Sequence, residues 1–407
     1  MSRLAKPKLN TDPINFFICG LLILTLIMKL MESLSFLPTQ YVTYALYGVL
    51  WLCLGLHVLN NFNSVVYITL IVGSITLFLC TMESMVFSAN DKYIWGFDVM
   101  SLITFLPHNL FTAMMFTIPG LLVRDYDDFV DTLHSFARIG VAIGALAYAS
   151  YMFFGKELYY DDMNFAYTMC IMVCTLIATS EKRDSWFIAV GFFCLFIAGT
   201  RGPLICTIAA MVLNVILNYR GRKTFVFIFL GILAIVLVQT NILATLLNLL
   251  ASLLSSIGIT NLRIIDFYNE GNLADTSGRN DLQYIITDAI SQRPLRGYGV
   301  GYDRMVLDGS YVHNIILETV VSFGILFGGI FLASIAVVII RNLFSRNRAL
   351  KIIAFIFFTS IILKMFFSTS ILNCREFSMF LGLCIGGILK ERKDRKSERM
   401  IRADFRK

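Results

Sequence analysis

The chain has 407 residues, of which 57% are hydrophobic and only 15% are charged, with a net charge of +7 and a mean hydropathy of +0.74. Soluble domains average roughly 25% charged and 45–50% apolar residues. The composition therefore excludes a soluble globule, a disordered chain and a disulfide scaffold. Apolar runs near the ~20 residues that span a bilayer as a helix recur along the chain. We predict an all-α, polytopic membrane protein, built as a single integral-membrane domain over residues 1–407.

The apolar runs predict about twelve transmembrane helices. The first run follows the amino terminus without a small-residue cleavage site, so we interpret it as a spanning helix rather than a signal peptide. The seventh and twelfth runs are short, and either is compatible with a re-entrant segment. The predicted spans are 15–32, 41–60, 64–87, 97–122, 136–154, 164–180, 185–200, 202–219, 224–245, 313–340, 350–371 and 377–390.

The distribution of lysine and arginine predicts the orientation of the spans. With the amino terminus inside, 23 of the 34 basic residues fall in cytoplasmic segments and nine fall outside, while Lys29 and Lys364 lie within spans. Both termini are therefore predicted to be cytoplasmic. Nine of the basic residues lie between Lys390 and Lys407, and we interpret this tail as a topology anchor rather than a nucleic-acid site.

One outer segment, residues 246–312, is far longer than the other outer loops. Long loops in compact proteins are usually functional or disordered, and this one has the periodicity of ordered structure. Leucines between Leu246 and Leu254 follow helical spacing, which indicates an amphipathic helix in the membrane interface. A second amphipathic helix is predicted around Leu282 to Ile290, ended by Pro294.

Two arginines on the outer side are candidates for binding an anion. Arg201 stands in the short turn Gly199-Thr200-Arg201-Gly202-Pro203 between two apolar spans, where a plain connecting turn needs no charge. Arg279 follows Ser277-Gly278 and lies in the first turn of the second loop helix, where the helix dipole also favours an anion. The alternative for Arg279 is a capped surface helix with an incidental arginine.

His313 begins the tenth predicted span, and Glu318 lies just over one helical turn deeper. A histidine at the mouth of a cavity takes up a proton near neutral pH, although a lone histidine is more often structural. Other ionisable residues also lie near the outer ends of spans, which suggests a polar cavity that faces outward. They include Lys29, Glu32, Glu83, Asp98 and Lys364.

Two other motifs do not predict a cofactor or a metal. Gly297-Tyr298-Gly299-Val300-Gly301 follows a helix rather than a strand and lacks the third-glycine spacing of a dinucleotide loop. Tyr160-Asp161-Asp162 imitates a metal-dependent glycosyltransferase motif, but no second carboxylate pair lies nearby in the sequence. We therefore expect neither a cofactor nor a metal.

The order of these motifs resembles the O-antigen ligase/polymerase superfamily. Arg201 follows an apolar span, then come the long outer loop with Ser277-Gly278-Arg279, the glycine motif after Pro294, and His313-Asn314-Ile315-Ile316-Leu317-Glu318. The resembling core runs from about Ile197 to Gly329. It departs from the family in one place: the aromatic that commonly follows the SGR arginine closely has Tyr284 as its candidate here.

The resemblance implies a bacterial membrane glycosyltransferase. Such enzymes transfer a glycan from an undecaprenyl-diphosphate carrier to an acceptor hydroxyl at the outer face of the inner membrane, without a metal. Arg201 and Arg279 match the family arginines that stabilise the diphosphate, with Arg296 as a helper, and His313 matches the proposed base. From helical spacing, we predict that Glu318 orients the histidine or contacts sugar. The aromatics proposed to stack on sugar rings are Tyr284, Tyr298, Tyr302 and Tyr311.

Three functions remain open at this point. The form of the His313–Glu318 motif and the aliphatic and phenylalanine content favour a polymerase that joins lipid-linked repeat units into O-antigen or capsule. The alternative is a ligase that moves finished polymer to lipid A–core. A transporter or flippase is the lesser alternative, because no inverted repeat is evident. The expected partners are the undecaprenyl-diphosphate-linked oligosaccharide, the bilayer and, for a polymerase, a chain-length regulator and a flippase.

Overall fold

The computed structural model describes residues 12–34, 39–96, 107–153, 163–179, 181–198, 200–218, 249, 252 and 279–404. In these ranges the chain forms helices and turns and contains no strand. The predicted span at 224–245 lies outside the described residues, as do Ser277 and residues 160–162. Of the first loop helix, only Leu249 and Ser252 are described.

The described helices follow the predicted spans closely in most places. In chain order they are α1 (Pro13–Leu34), α2 (Thr39–Asn60), α3 (Phe62–Val86), α4 (Asp91–Ile94), α5 (Leu110–Met115), α6 (Thr117–Leu122), α7 (Tyr126–Phe153), α8 (Met163–Thr179), α9 (Ser185–Ile197), α10 (Arg201–Asn218), α11 (Arg279–Gln292), α12 (Tyr302–Val306), α13 (Ile315–Leu343), α14 (Arg348–Ile356), α15 (Leu363–Met365) and α16 (Arg375–Asp404).

Five of the described helices are long and apolar enough to cross a membrane. A helix needs about 20 apolar residues to do so, and each of the five has at least 20 residues with a mean hydropathy of 1.2 or more. The described part of the chain is therefore all-helical, with several segments of the length and composition found in multi-pass membrane proteins. The five segments are Pro13–Leu34, Tyr41–Asn60, Phe62–Val86, Tyr126–Tyr151 and Ile315–Leu343.

The described part of the fourth predicted span, 97–122, is not one continuous helix. Instead, α5 and α6 meet at Phe116. Asn109 begins α5 because its side-chain oxygen accepts a hydrogen bond from the Thr112 backbone N–H at 2.8 Å, which is an N-cap. Glycines at 120 and 382 allow α6 and α16 to pack backbone to backbone, since a Cβ at either position would overlap the opposite main chain.

The chain groups into two compact units. Unit 1 draws on residues 1–22, 45–133 and 279–407, and unit 2 draws on residues 23–44 and 134–278. Arg279, His313 and Glu318 belong to unit 1, whereas Arg201 belongs to unit 2. The single domain over residues 1–407 stays a prediction.

Helix α13 is interrupted at Gly324, which has φ 72° and ψ 171°. The interruption frees backbone groups that the glycine motif then satisfies. The Tyr298 and Gly299 N–H groups donate to the Val321 and Ser322 carbonyls at 2.8 and 2.9 Å, and the Ile325 N–H donates to the Pro294 carbonyl at 2.7 Å. Irregular backbone is tolerated at membrane depth only where such groups are paired or face a cavity. The glycine motif therefore has a structural role, because it supplies backbone hydrogen bonds at the break in the helix.

Replacing Gly324 with alanine is expected to destabilise unit 1. A backbone with positive φ and extended ψ is essentially restricted to glycine and disfavours alanine by roughly 1–3 kcal/mol, and the new Cβ would overlap the Leu295 carbonyl. Gly329→Ala in the same helix is the control, because nothing lies within 4 Å of its Cβ position. Thermal unfolding of the purified variants measures the difference. Equal stability of the two variants would contradict this structural role of the glycine motif.

Candidate active site

The start of α13 holds His313 in an uncommon backbone conformation. Asn314 caps the helix, because its side-chain oxygen accepts from the Ile316 and Leu317 N–H groups at 3.0 and 3.2 Å. His313, one residue earlier, has φ 53°. A left-handed conformation in a non-glycine residue costs of order 1–3 kcal/mol and clusters at functional sites. The strain marks His313 as a candidate functional residue.

The imidazole of His313 is half-buried beside Tyr311, Arg279 and the Ser368 backbone. The Tyr311 and His313 ring centroids lie 4.2 Å apart. Burial lowers the pKa of His313 below its ordinary value of 6.5, the charge of Arg279 lowers this pKa further, and a hydrogen bond to the Ser368 backbone opposes both effects. Nδ1 is buried without a hydrogen-bond partner among the described residues. His313 is thus neutral near pH 7, the form that accepts a proton.

Arg279 is the first residue of α11, as the sequence predicts for the second loop helix. Its Nη1 donates to the Phe367 carbonyl at 2.5 Å, which joins the helix to the turn before α16. A guanidinium carries five N–H donors in a planar fork, so this bond uses one of them. A half-buried arginine beside a neutral histidine is suited to binding an anion with phosphate geometry.

A buried ionic cluster also packs near Tyr311. It consists of Asp303, Arg304, Glu318 and Ser370, which are 0%, 5%, 5% and 0% exposed. Arg304 donates to Ser370 Oγ at 2.6 Å and lies 3.8 Å from Glu318 Oε1 and 3.4 Å from Asp303 Oδ1. The Arg304 guanidinium carbon is 5.7 Å from the Tyr311 ring centroid. These ion pairs and hydrogen bonds hold in place the Arg304 side chain, which lies near the Tyr311 ring.

Glu318 was predicted to orient His313 or to contact sugar, and this stays a prediction. In the structure its carboxylate binds a turn, where Ser370 Oγ donates to Oε1 at 2.5 Å and the Ile371 N–H donates to Oε2 at 3.1 Å. Both carboxylate oxygens are therefore used in holding the turn 366–374 against the start of α13. Whether Glu318 also contacts a substrate stays a prediction.

Charges of both signs act on the Tyr311 hydroxyl, which itself donates to the Ser368 carbonyl at 3.2 Å. Burial raises the pKa of Tyr311 and the Glu318 carboxylate raises it too, whereas the charges of Lys364, Arg304 and Arg279 lower it. Of these cations, Arg304 is ion-paired within the buried cluster.

The predicted aromatic and helper residues have other contacts. Tyr298 stacks on Tyr302 with ring centroids 4.1 Å apart, and both pack on the small core formed by α11, α12 and the start of α13. Arg296 lies 5.8 Å from the Phe87 ring centroid. Tyr284 is 75% exposed. Their roles toward a sugar or a diphosphate stay predictions.

Arg201 begins α10 in unit 2 and is half-buried. The next residue, Gly202, lies against the Tyr167 hydroxyl, where a Cβ would overlap it. Tyr167 is 2% exposed. The glycine therefore permits the close approach of α8 to the start of the helix that carries Arg201.

One group in unit 2 has the composition of a metal site. His134, Glu181 and Asp184 each offer a ligand atom within 4.8 Å of the others. However, Arg138 donates to both carboxylates, to Asp184 Oδ1 and to Glu181 Oε2, at 2.7 Å each. An arginine in that position neutralises the carboxylates and repels a cation, so the group is an ion-pair network.

Residues 186–332 match the family model described as O-antigen ligase. This range contains Arg201, Arg279, Arg296, His313 and Glu318, and the resemblance predicted from motif order is confirmed over it. No curated protein and no solved structure matches the chain.

Several residues of the site lie outside that range or were missed by sequence reasoning. Lys364, Ser368 and Ser370 follow residue 332, and the polar run Ser368-Thr369-Ser370 was placed inside the predicted span 350–371. Asp303 and Arg304 lie within the range. In the sequence, their signal was a charged pair between the apolar residues Val300 and Leu307. The structure buries both of these residues, and an unpaired charge is rarely tolerated in such a place.

Proposed function

We propose that this protein is a metal-independent polysaccharide polymerase of the bacterial inner membrane. It transfers glycan from an undecaprenyl-diphosphate-linked donor to the terminal sugar hydroxyl of a lipid-linked repeat unit, producing O-antigen or capsule. The match to the O-antigen ligase family and the five membrane-spanning segments support the class of enzyme. Twelve spans, a flippase that supplies the repeat units and a chain-length regulator belong to the same proposal.

The observation that carries the proposal is the geometry of His313. The ring is half-buried, kept neutral by burial and by Arg279, and its residue has a strained backbone one position before the Asn314 cap. A positive φ in a non-glycine residue is uncommon, and such strained positions cluster at functional sites. A transporter would use a polar cavity but has no need of a base.

In the proposed reaction, the acceptor hydroxyl oxygen attacks the anomeric carbon of the donor sugar. The bond between that carbon and the diphosphate oxygen breaks as the new glycosidic bond forms. His313 takes the hydroxyl proton, and the negative charge leaves with the undecaprenyl diphosphate. Arg279 stabilises that charge, and Arg201 has the same role by resemblance.

Polymerase and ligase activities leave different products in a deletion strain. Without a polymerase, single repeat units reach the surface lipid and long chains are missing. Without a ligase, polymer remains on its lipid carrier and none reaches lipid A–core. Electrophoresis of the surface glycan and of the carrier-linked fraction separates the two, and accumulation of carrier-linked polymer would favour the ligase.

The proposed topology places both termini inside and the site on the outer face. Ser310 and Ser397 are both exposed, so Ser310→Cys and Ser397→Cys form a matched pair. A membrane-impermeant maleimide added to intact spheroplasts is expected to label Cys at 310 and not at 397. Eight of the nine native cysteines are buried and Cys53 is intermediate, so the parent protein gives the background. The reverse pattern would overturn the topology.

A further inference from the structure

The turn between α15 and α16 reaches the candidate active site through two of its backbone carbonyls. The Phe367 carbonyl accepts from Arg279 Nη1 at 2.5 Å. The Ser368 carbonyl accepts from the Tyr311 hydroxyl at 3.2 Å, and the Tyr311 ring packs on His313 with centroids 4.2 Å apart. One short piece of chain therefore contacts both the proposed anion-binding arginine and the neighbour of the proposed base.

The hydroxyl of Ser370 holds this turn in place. Ser370 is 0% exposed, and its Oγ donates to Glu318 Oε1 at 2.5 Å. The same oxygen accepts from Arg304 Nη2 at 2.6 Å and from the Leu372 N–H at 3.1 Å. A serine hydroxyl has one proton to donate and two lone pairs, so all three are used. The side chain thereby joins the turn to α12 and to the start of α13.

The other end of the turn is fixed by the helix that precedes it. The Lys364 carbonyl accepts from the Phe367 and Ser368 N–H groups at 3.0 and 2.9 Å. Just before α15 the chain forms a π-helical segment, Phe357–Ile362. Such segments are rare and occur frequently at functional sites. Because both ends of the turn are held, the directions of the two carbonyls between them are set.

We propose that Ser370 is a positioning residue for glycan transfer, which fixes Arg279 and His313 in their reactive arrangement without contacting the substrate itself; this rests on the proposed function. The hydroxyl sets the turn, and the turn sets its two carbonyls. The first carbonyl limits the orientations of the Arg279 guanidinium, and the second limits those of the Tyr311 ring beside His313. A buried polar network rigidifies its surroundings when every member is satisfied. Ser370 lies beyond residues 186–332, the range of the family model.

Titration of the His313 ring tests this role without relying on activity. Burial and Arg279 lower the pKa of His313, and the bond to the Ser368 backbone opposes them only in part. If Ser370→Ala loosens the turn, this pKa is expected to rise towards its ordinary value of 6.5. The measurement is nitrogen NMR of the full chain, labelled at histidine and placed in nanodiscs. The His313 signal is assigned by its absence from His313→Asn.

Ser345→Ala is the matched control, because its chemistry is similar and it lies beyond the opposite end of α13. Ser345 is 5% exposed. Its hydroxyl donates to Glu391 Oε1 and accepts from the Asn347 N–H at 3.0 Å. This variant should lose a buried serine–glutamate contact and leave the His313 titration unchanged.

Glu318→Gln tests the same contact from its other side. It replaces one of the two carboxylate acceptors with an amide donor, so the turn loses one of its bonds to α13. The His313 titration should move in the same direction as in Ser370→Ala. This variant decides the question if Ser370→Ala does not fold.

The rate of transfer from lipid-linked repeat units gives the second readout. Per folded molecule, Ser370→Ala is expected to lower kcat by roughly 10- to 100-fold, since a displacement of about 1 Å can cost 10²-fold in rate. Ser345→Ala is expected to keep kcat near the wild-type value. Thermal unfolding of each variant measures the folded fraction.

The outcomes separate this role from the proposed function. A shifted titration together with a lowered kcat supports positioning. An unshifted titration in folded Ser370→Ala overturns it and leaves the proposed function standing, as does a shifted titration with an unchanged kcat. If the wild-type protein transfers no glycan, the proposed function falls, and a shifted titration would still support the fixing of His313 by Ser370.

Discussion

Replacing His313 with alanine is expected to lower the rate of glycan transfer by roughly 10²–10⁴-fold, the range of a lost general base. Donor binding is expected to persist, because Arg279 remains. His313→Asn is the sharper variant, since asparagine adopts the left-handed conformation readily and takes up no proton at neutral pH. Single-turnover transfer in nanodiscs measures the rate, and a separate binding assay with lipid-linked donor measures affinity.

Asp308→Ala is the matched control for backbone strain. Asp308 also has a left-handed backbone, with φ 50°, but it is exposed. It should lose some stability and keep full activity per folded molecule. If Asp308→Ala lost activity as severely as His313→Ala, the loss would reflect the loop conformation rather than the imidazole.

Replacing Arg279 with lysine is expected to lower transfer by roughly 10- to 100-fold, because one charge-assisted hydrogen bond contributes about 1.5–3 kcal/mol. Lysine keeps the charge and loses the planar fork. Arg293→Lys is the control, since Arg293 is exposed just after the same helix. Near-normal activity of Arg279→Lys would show that bidentate contact with phosphate is not needed there.

Arg279 also determines the pH dependence. A base is active when deprotonated, so transfer is lost as the pH falls through the pKa of His313, which burial and Arg279 place below 6.5. Arg279→Gln removes one cause of the lowered pKa, so the acidic limb of the rate profile should move to higher pH. Arg279→Lys retains the charge and should leave the limb unchanged. If the acidic limb does not move in Arg279→Gln, the charge of Arg279 does not lower the pKa of His313.

Local patterns were enough to predict the elements that carry the site. The helical spacing between Leu282 and Ile290 and the breaker Pro294 predicted a helix that the structure has at Arg279–Gln292. The start of α13 next to His313 followed from the apolar run alone. Each of these features depends on residues within a few turns of one another.

Long-range pairings were not predictable from spacing. Ser370 is 66 residues from Arg304 and 52 from Glu318, so neither buried contact leaves a periodic signal. The glycine motif predicted a turn, but its pairing with the broken helix depends on the non-helical backbone at Gly324, with φ 72° and ψ 171°, which a helical pattern does not reveal. Glu318 was placed correctly on its helix, yet its carboxylate binds the turn that the sequence had assigned to the end of a span.

The central claim is that the neutral His313 activates an acceptor hydroxyl against a lipid-diphosphate donor. The most direct measurement is electrophoresis of the glycan formed by purified protein from lipid-linked repeat units, together with the undecaprenyl diphosphate released. The wild-type protein is expected to form a ladder and to release one carrier for each bond formed. His313→Asn is expected to bind donor and leave single repeat units. Full-length chains from His313→Asn would contradict the account.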